Sequence, residues 1–283
     1  MNNWGMIVID AYGIHIGPLY LRFYALILVT AIFVGTWITA RRAKAHGDNP
    51  DTIWDMITWA LLPGILGARL YHVLTPTPAS GLTTQYYFEH PLEIFAIWNG
   101  GLGIYGAVLG GALGIILYAR YHHLPILKWF DLAMPGVLVA QAIGRWGNFV
   151  NHELYGAPTT LPWAIPIPPE KRLPGYTQYN TFHPLFLYES IWNLASFGLM
   201  LWIERRFHDR LRQGDILLIY LILYPVGRFL LDFVRLDSNG IGALTTAQWT
   251  SLAAAVISAV LLVVRHLRSS AAANAVPTQG IKG

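Results

Sequence analysis

The sequence predicts an all-α polytopic membrane protein of about seven transmembrane helices, with the N-terminus outside, the C-terminus cytoplasmic and a small irregular extracytoplasmic cap. Three observations carry this. Of 283 residues, 54% are hydrophobic and only 12% charged, with a mean hydropathy of +0.43, whereas a soluble domain is about 25% charged. Apolar windows near the roughly 20 residues that cross a bilayer recur along the chain. Lys and Arg are shared very unequally between alternate connecting segments.

The windows lie near 19–40, 54–74, 95–119, 129–149, 184–203, 215–235 and 246–266. The first is closed by Arg41, Arg42 and Lys44, has no positive charge before it and no small-residue cleavage site after it, so it reads as a retained span and not a cleavable signal. In the third, Gly106, Gly110 and Gly114 recur at four-residue steps and read as a ridge for close helix packing. Just before them, Gly100, Gly101 and Gly103 loosen the helix start and leave backbone amides free for an anion. Segment 150–183, with LPWAIPIPPEKRLPG, has too few helix formers for a span and reads as the cap; the tail 269–283 reads as disordered. Residues 1–268 then read as a single transmembrane domain.

The segments 41–53, 120–128 and 204–214 and the tail from 265 hold 12 of the 19 Lys and Arg, while the other set holds only Lys171 and Arg172. Positive charge is retained on the cytoplasmic side, which sets the orientation. The net charge of +4 therefore reports topology and not nucleic-acid binding. With no cysteine, disulfides, iron–sulfur clusters, thiolate metal sites and a cysteine nucleophile are excluded, so any reacting thiol arrives with a substrate. No HExxH pattern is present among the ten histidines, and neither a metal nor another cofactor is expected.

Five cations remain: Arg22, Arg69, Arg145, Arg228 and Arg235, all on the outer half of the predicted spans. A lone arginine near a span end can snorkel to the headgroups, and Arg228 can neutralise itself on Asp232 at i+4. Spacing favours more. Gln141, Arg145 and Asn148 share one helical face, and Tyr220, Tyr224, Arg228 and Asp232 follow at four-residue steps. Such polar stripes in an apolar bundle face each other or a wet cavity. Glu189, Tyr24 and Glu153 lie at comparable depth. The result is a cationic pocket open to the outer leaflet, and arginine's planar fork suits the phosphate of an anionic phospholipid.

The run Gly144-Arg145-x-Gly147-Asn148-Phe149-x-Asn151-x-Glu153-x-x-Gly156 resembles the hallmark of the prolipoprotein diacylglyceryl transferases, bacterial membrane enzymes that move a diacylglyceryl group from phosphatidylglycerol to the lipobox cysteine of a lipoprotein precursor. LRFYALIL with Tyr24, GARLYHV with Arg69, WNGGLGIYGA, HPLFLYES with Glu189 and YPVGRFLLDFVR with Tyr224 and Arg228 also resemble family motifs, in the family's order. The resemblance implies a multi-pass protein of the bacterial cytoplasmic membrane, with phosphatidylglycerol and a prolipoprotein signal peptide as partners and no nucleic acid. One departure stands out: where the family carries a histidine in GGLxxHGG, this chain has Tyr105.

On this reading Arg145, Arg228, Asn148, Glu153 and Tyr105 are catalytic, and Tyr24, Arg69, Gly100, Gly101, Asn151, Gly156, Glu189 and Tyr224 bind substrate. The arginines stabilise the departing phosphate; Glu153, Glu189 and Tyr105 are alternative acceptors of the thiol proton. A transporter or flippase of an anionic lipid or solute is the alternative, but it calls for polar residues through the inner halves of the spans, which here read IILY and ALILVTAIFVG. A purely structural scaffold leaves the outward arginines unexplained.

Overall fold

The computed structural model describes residues 7–17, 19–76, 81–97, 100–236, 240–241 and 243–274. The chain is mostly helical, and five helices among the described residues are long and apolar enough to cross a membrane; it is a polytopic membrane protein. Three short strands open it: β1 (Ile7–Ile9), β2 (Gly13–Ile16) and β3 (Leu19–Arg22), paired as an antiparallel sheet. Then come α1 (Phe23–Ala45), α2 (Asp51–Leu74), α3 (Thr84–Glu89), α4 (Ile104–Tyr121) and α5 (Ile126–Asn151). The two-residue strands β4 (Ile165–Pro166) and β5 (Thr181–Phe182) precede α6 (Leu185–Phe207) and α7 (Asp215–Leu231); β6 (Gly240–Ile241) and β7 (Leu244–Thr245) precede α8 (Thr246–Asn274).

The five helices are α1, α2, α4, α5 and α8. The other two expected spans correspond to α6 and α7. With 17 residues α7 is short, and α6 buries Glu189, Ser190, Asn193 and Ser196, which lower its apolarity. The first span starts later than its window because residues 19–22 pair as β3. The third starts at Ile104, after Gly100 and Gly101 take positive φ values of 84° and 71° that break any helix before it. At the other end, α8 continues through the alanine-rich stretch to Asn274, and the rest of the expected disordered tail, 275–283, lies outside the described residues.

Contacts cluster into two compact units: Met1–Trp37 with Phe130–Gly283, and Ile38–Trp129. In the second unit α2 and α4 pack backbone to backbone along the glycine ridge. A Cβ on Gly106 would meet the Gly67 carbonyl, one on Gly110 the Pro63 carbonyl, and one on Gly114 the Trp59 carbonyl. Dispersion between close backbones is what holds helices together where lipid is as apolar as the side chains. Lys128 and Asp48 form an ion pair at 2.5 Å.

The first unit has an apolar core of Met134, Leu138, Met200, Ile216 and Ile219 from α5, α6 and α7. Helix α1 approaches α5 closely at Gly35, where a Cβ would lie 2.8 Å from the Gly136 carbonyl oxygen. The N-terminus of α7 is capped from another helix: Asp131 of α5 accepts from the amides of Gly214 (2.5 Å) and Leu217 (2.9 Å). This satisfies orphan amides and places negative charge at the positive end of the helix dipole. Segment 150–183 is more ordered than its composition suggests. Tyr155, Ile167 and Phe182 form a small core, Arg172 donates to the carbonyls of Ile167 and Thr177, and the Tyr155 hydroxyl accepts from the Leu173 amide and donates to the Lys171 carbonyl.

Candidate functional site

The hallmark stretch ends α5 and turns sharply. His152 and Leu154, with φ of 53° and 54°, flank Glu153 in the left-handed region. For a residue as bulky as leucine this conformation is uncommon and is held by its surroundings. The turn folds the Glu153 carboxylate back onto the helix: Asn148 Nδ2 donates to Glu153 Oε1 at 2.9 Å and Asn151 Nδ2 to the same oxygen at 3.4 Å. Arg145 Nη1 donates to Asn148 Oδ1 at 3.3 Å. On α6, the buried Glu189 reaches Arg145 Nε at 2.5 Å. Glu189, Arg145, Asn148, Glu153 and Asn151 thus form one hydrogen-bonded chain running from the buried interior of α6 to the exposed turn.

Two further residues of the hallmark act through space. Gly147 admits the Tyr24 ring, since a Cβ there would come within 2.8 Å of it. Gly156 sits under His183 and Val234, with its amide donating to the His183 carbonyl, and bridges to Arg235. Gly156 therefore joins the turn to His183 and to the segment after α7.

Arg228 and Tyr224 of α7 line a cleft with Glu189, Trp192, Asn193 and Gly227. Arg228 Nη2 pairs with Asp232 Oδ1 at 2.9 Å, and Asp232, with no exposed side-chain surface, also accepts the Thr245 hydroxyl. The self-neutralising pair therefore forms. Even so, Arg228 Nη1 is buried with no hydrogen-bond partner among the described residues, leaving a charged donor unspent beside the cleft. The two polar stripes meet where Gln141 Nε2 donates to the Tyr220 hydroxyl at 2.8 Å, and Tyr220 stacks on Tyr224. Glu189, shared by the cleft and the hydrogen-bonded chain, connects the surroundings of both arginines.

The remaining expected residues lie in the second unit. Arg69 is 6% exposed, and each of its guanidinium nitrogens is taken by backbone. Nε donates to the Ile94 carbonyl (2.9 Å), Nη1 to Gly100 (2.6 Å) and Gly101 (3.1 Å), and Nη2 to Glu93 (2.6 Å). In this geometry Arg69 shapes the 93–101 loop. Gly100 and Gly101 offer their carbonyls to that arginine, while the Gly100 amide donates to Ile97 and the Gly103 amide to Ala68. Gly100 and Gly101 serve here through positive φ and carbonyl direction, and the amides of Gly100 and Gly103, expected to be free, are spent on backbone carbonyls. Tyr105 is 67% exposed, with its ring 5.6 Å from that of Tyr71.

Sequence reasoning passed over Asn193, Trp192 and Gly227. Asn193 was detectable, because Glu189, Asn193 and Ser196 make a polar face on α6 at steps of four and three. The pairing of Trp192 with Gly227 was not: the indole fills the space a Cβ would need and donates to the Leu223 carbonyl at 2.9 Å, a contact between helices that no local pattern encodes.

A family model described as prolipoprotein diacylglyceryl transferase matches residues 11–264. Similar proteins named phosphatidylglycerol–prolipoprotein diacylglyceryl transferase include one from Chloroflexus aggregans, 39% identical over 93% of this chain and 91% of the relative. One from Gloeobacter violaceus is 42% identical over 87% and 89%, and one from Frankia alni is 44% identical over 89% and 66%. Matched along nearly its whole length, and with the hallmark folded into a single hydrogen-bonded chain, this protein belongs to the prolipoprotein diacylglyceryl transferase family.

Proposed function

We infer that this protein transfers the diacylglyceryl group of phosphatidylglycerol to the lipobox cysteine of prolipoproteins, at the outer face of the bacterial cytoplasmic membrane. The observation that carries the reading is the Glu189–Arg145–Asn148–Glu153 chain within the family's matched region. Residues 1–268 act as one catalytic domain of seven spans, with 150–183 as its extracytoplasmic cap.

In the reaction the cysteine sulfur attacks the glycerol carbon bearing the phosphate, the carbon–oxygen bond to phosphate breaks, and glycerol phosphate departs with the negative charge. Arg145 and Arg228 stabilise that charge as it develops. Glu189 holds Arg145 through Nε and Asn148 through Nη1 fixes its plane, so the fork meets phosphate without reorganising. Arg228 contributes the unpartnered Nη1. A thiol of ordinary pKa near 8.5 ionises more readily beside two guanidinium groups, and the exposed Glu153 is placed to take its proton. Tyr24 and Tyr224 flank the lipid glycerol, and Gly156 and Asn151 keep the turn in register.

The test is incubation of purified protein with phosphatidylglycerol and a lipobox peptide. Mass spectrometry is expected to find a diacylglyceryl adduct on the peptide cysteine with an equal yield of glycerol phosphate; folded protein that leaves both substrates unchanged overturns the reading. Orientation is tested with reporter fusions, expected outside at Gly81 and Pro168 and inside at Asp48, His208 and Ser270. A cytoplasmic signal at Pro168 would place the hallmark in the wrong compartment.

A further inference from the structure

The N-terminal sheet has two unlike faces. In β1–β2 the partners are Ile7↔Ile16, Val8↔His15 and Ile9↔Ile14; in β2–β3 they are Gly13↔Arg22, Ile14↔Leu21, His15↔Tyr20 and Ile16↔Leu19. Residues paired across an antiparallel ladder share a face, and neighbours along a strand alternate. One face is therefore Ile7, Ile9, Ile14, Ile16, Leu19 and Leu21, wholly aliphatic. The other carries Val8, His15, Tyr20 and Arg22.

The polar face is organised by its own contacts. His15 stacks on Tyr20 with ring centroids 4.1 Å apart, Arg22 lies 5.9 Å over the Tyr20 ring, and Asp10 accepts from Tyr20 and pairs with His15. The Tyr12 amide, first among these bonds, holds the Asp10 carboxyl below its ordinary pKa. Among the described residues most of the aliphatic face is exposed: Ile7 and Ile9 are 67% exposed, Leu19 53% and Ile16 43%, with Ile14 and Leu21 half-buried. A three-stranded sheet is stable only when its apolar face is covered.

We propose that the aliphatic face of this sheet is seated in the hydrocarbon edge of the membrane, beside the span that follows it, with the His15–Tyr20–Arg22 face turned to the headgroups. Continuity with α1 identifies the occupant. Arg22 directly precedes Phe23, the first residue of α1, and the Phe23 amide donates to the Tyr12 carbonyl at 2.8 Å, so no linker lets the sheet leave the bilayer boundary. The exposed apolar surface continues into α1 at Leu26 and Val29. Tyrosine and arginine on the opposite face are residues that favour headgroup depth. The proposal rests on α1 being a span and not on the reaction.

Because the chain has no cysteine, single cysteines can be labelled without background. Ile7→Cys, Ile9→Cys, Ile16→Cys, Val8→Cys and His15→Cys, each carrying an environment-sensitive fluorophore, would be reconstituted into vesicles, with Val29→Cys as the lipid-facing reference. Nitroxide on the lipid acyl chains is expected to quench the Ile7, Ile9 and Ile16 probes severalfold more than the Val8 and His15 probes, and aqueous iodide to show the reverse order. Iodide access at all five positions overturns the proposal. So does shielding of the isoleucine positions from both quenchers, which would mean protein covers them, or shielding that develops only on adding lipobox peptide, which would make this face a substrate dock. No substrate is needed for the quenching pattern, so it stands or falls independently of the transfer assay.

Discussion

Arg69 and Arg145 occupy similar stations, each toward the end of an apolar helix and each just after a glycine, Gly67 and Gly144, yet their surroundings differ in kind. Arg69 is enclosed by backbone carbonyls from Glu93, Ile94, Gly100 and Gly101 and lies 5.4 Å over the Tyr87 ring. Among the described residues Arg145 pairs with side chains, a carboxylate on α6 and an amide on its own helix, and its side chain keeps 22% exposure. Carbonyl oxygens carry no net charge, so these four bonds orient the Arg69 guanidinium without neutralising it, and every one of its nitrogens is engaged in holding a loop. Glu189 neutralises Arg145 through Nε and Asn148 accepts from Nη1, so the Nη2 edge of the fork is what remains to face an anion. An intramembrane arginine is thus read by what its nitrogens touch and not by its depth.

The largest effect is expected at Arg145. Lysine keeps the charge but cannot hold Glu189 and Asn148 while offering a bidentate edge, so Arg145→Lys should lower the transfer rate about a hundredfold, on the order of 3 kcal/mol of transition-state stabilisation. Turnover near that of the unmodified protein, at matched membrane insertion, would move the phosphate grip to Arg228 and erase the contrast with Arg69.

Arg69→Lys tests the other side. One ammonium cannot satisfy four carbonyls spread over the 93–101 loop, and loss of charged hydrogen bonds should cost roughly 2–3 kcal/mol of stability, seen as a lower unfolding midpoint in detergent. Transfer by the folded variant, measured at low temperature, should stay within a few-fold of normal. An Arg69→Lys protein of full stability and no activity would make Arg69 a substrate contact like Arg145.

Gly110→Ala probes the scaffold that carries Arg69. Its Cβ would enter the Pro63 carbonyl of α2, and overpacking of this sort costs about 1–3 kcal/mol. An unchanged unfolding midpoint would show that α2 and α4 can separate freely. Tyr105→Phe should have the smallest effect. A neutral phenol is a poor proton acceptor, and Tyr105 is 67% exposed, so measurable transfer should persist. Complete loss in a folded variant that still binds lipid would place Tyr105 at the centre of the reaction.

Much of the helical layout was legible because it is written in local composition: a run of apolar residues long enough to cross a bilayer needs no partner to be recognised. The glycine ridge of α4 was legible for the same reason, since its four-residue step is visible without knowing that Gly67 and Pro63 lie opposite. The β1–β3 sheet was missed. Its alternation is only a few residues long: LYLR of β3 was absorbed into the apolar window from 19 read as the start of a helix, while β1 and β2, with IHI, lay in 1–18, read as a connecting segment.

By itself, the sequence determined that this chain lives in a membrane, where its apolar runs lie, and that GRWGNFVNHELYG concentrates polarity at the end of one of them. Which arginine would clamp a loop and which would face a carboxylate was decided only by the tertiary structure. The cause is range. Hydrophobic periodicity is a property of neighbours in sequence, whereas a guanidinium's role is set by acceptors brought from distant segments: Glu189 to Arg145, the 93–101 carbonyls to Arg69, and Thr245 to the Asp232 that Arg228 already holds.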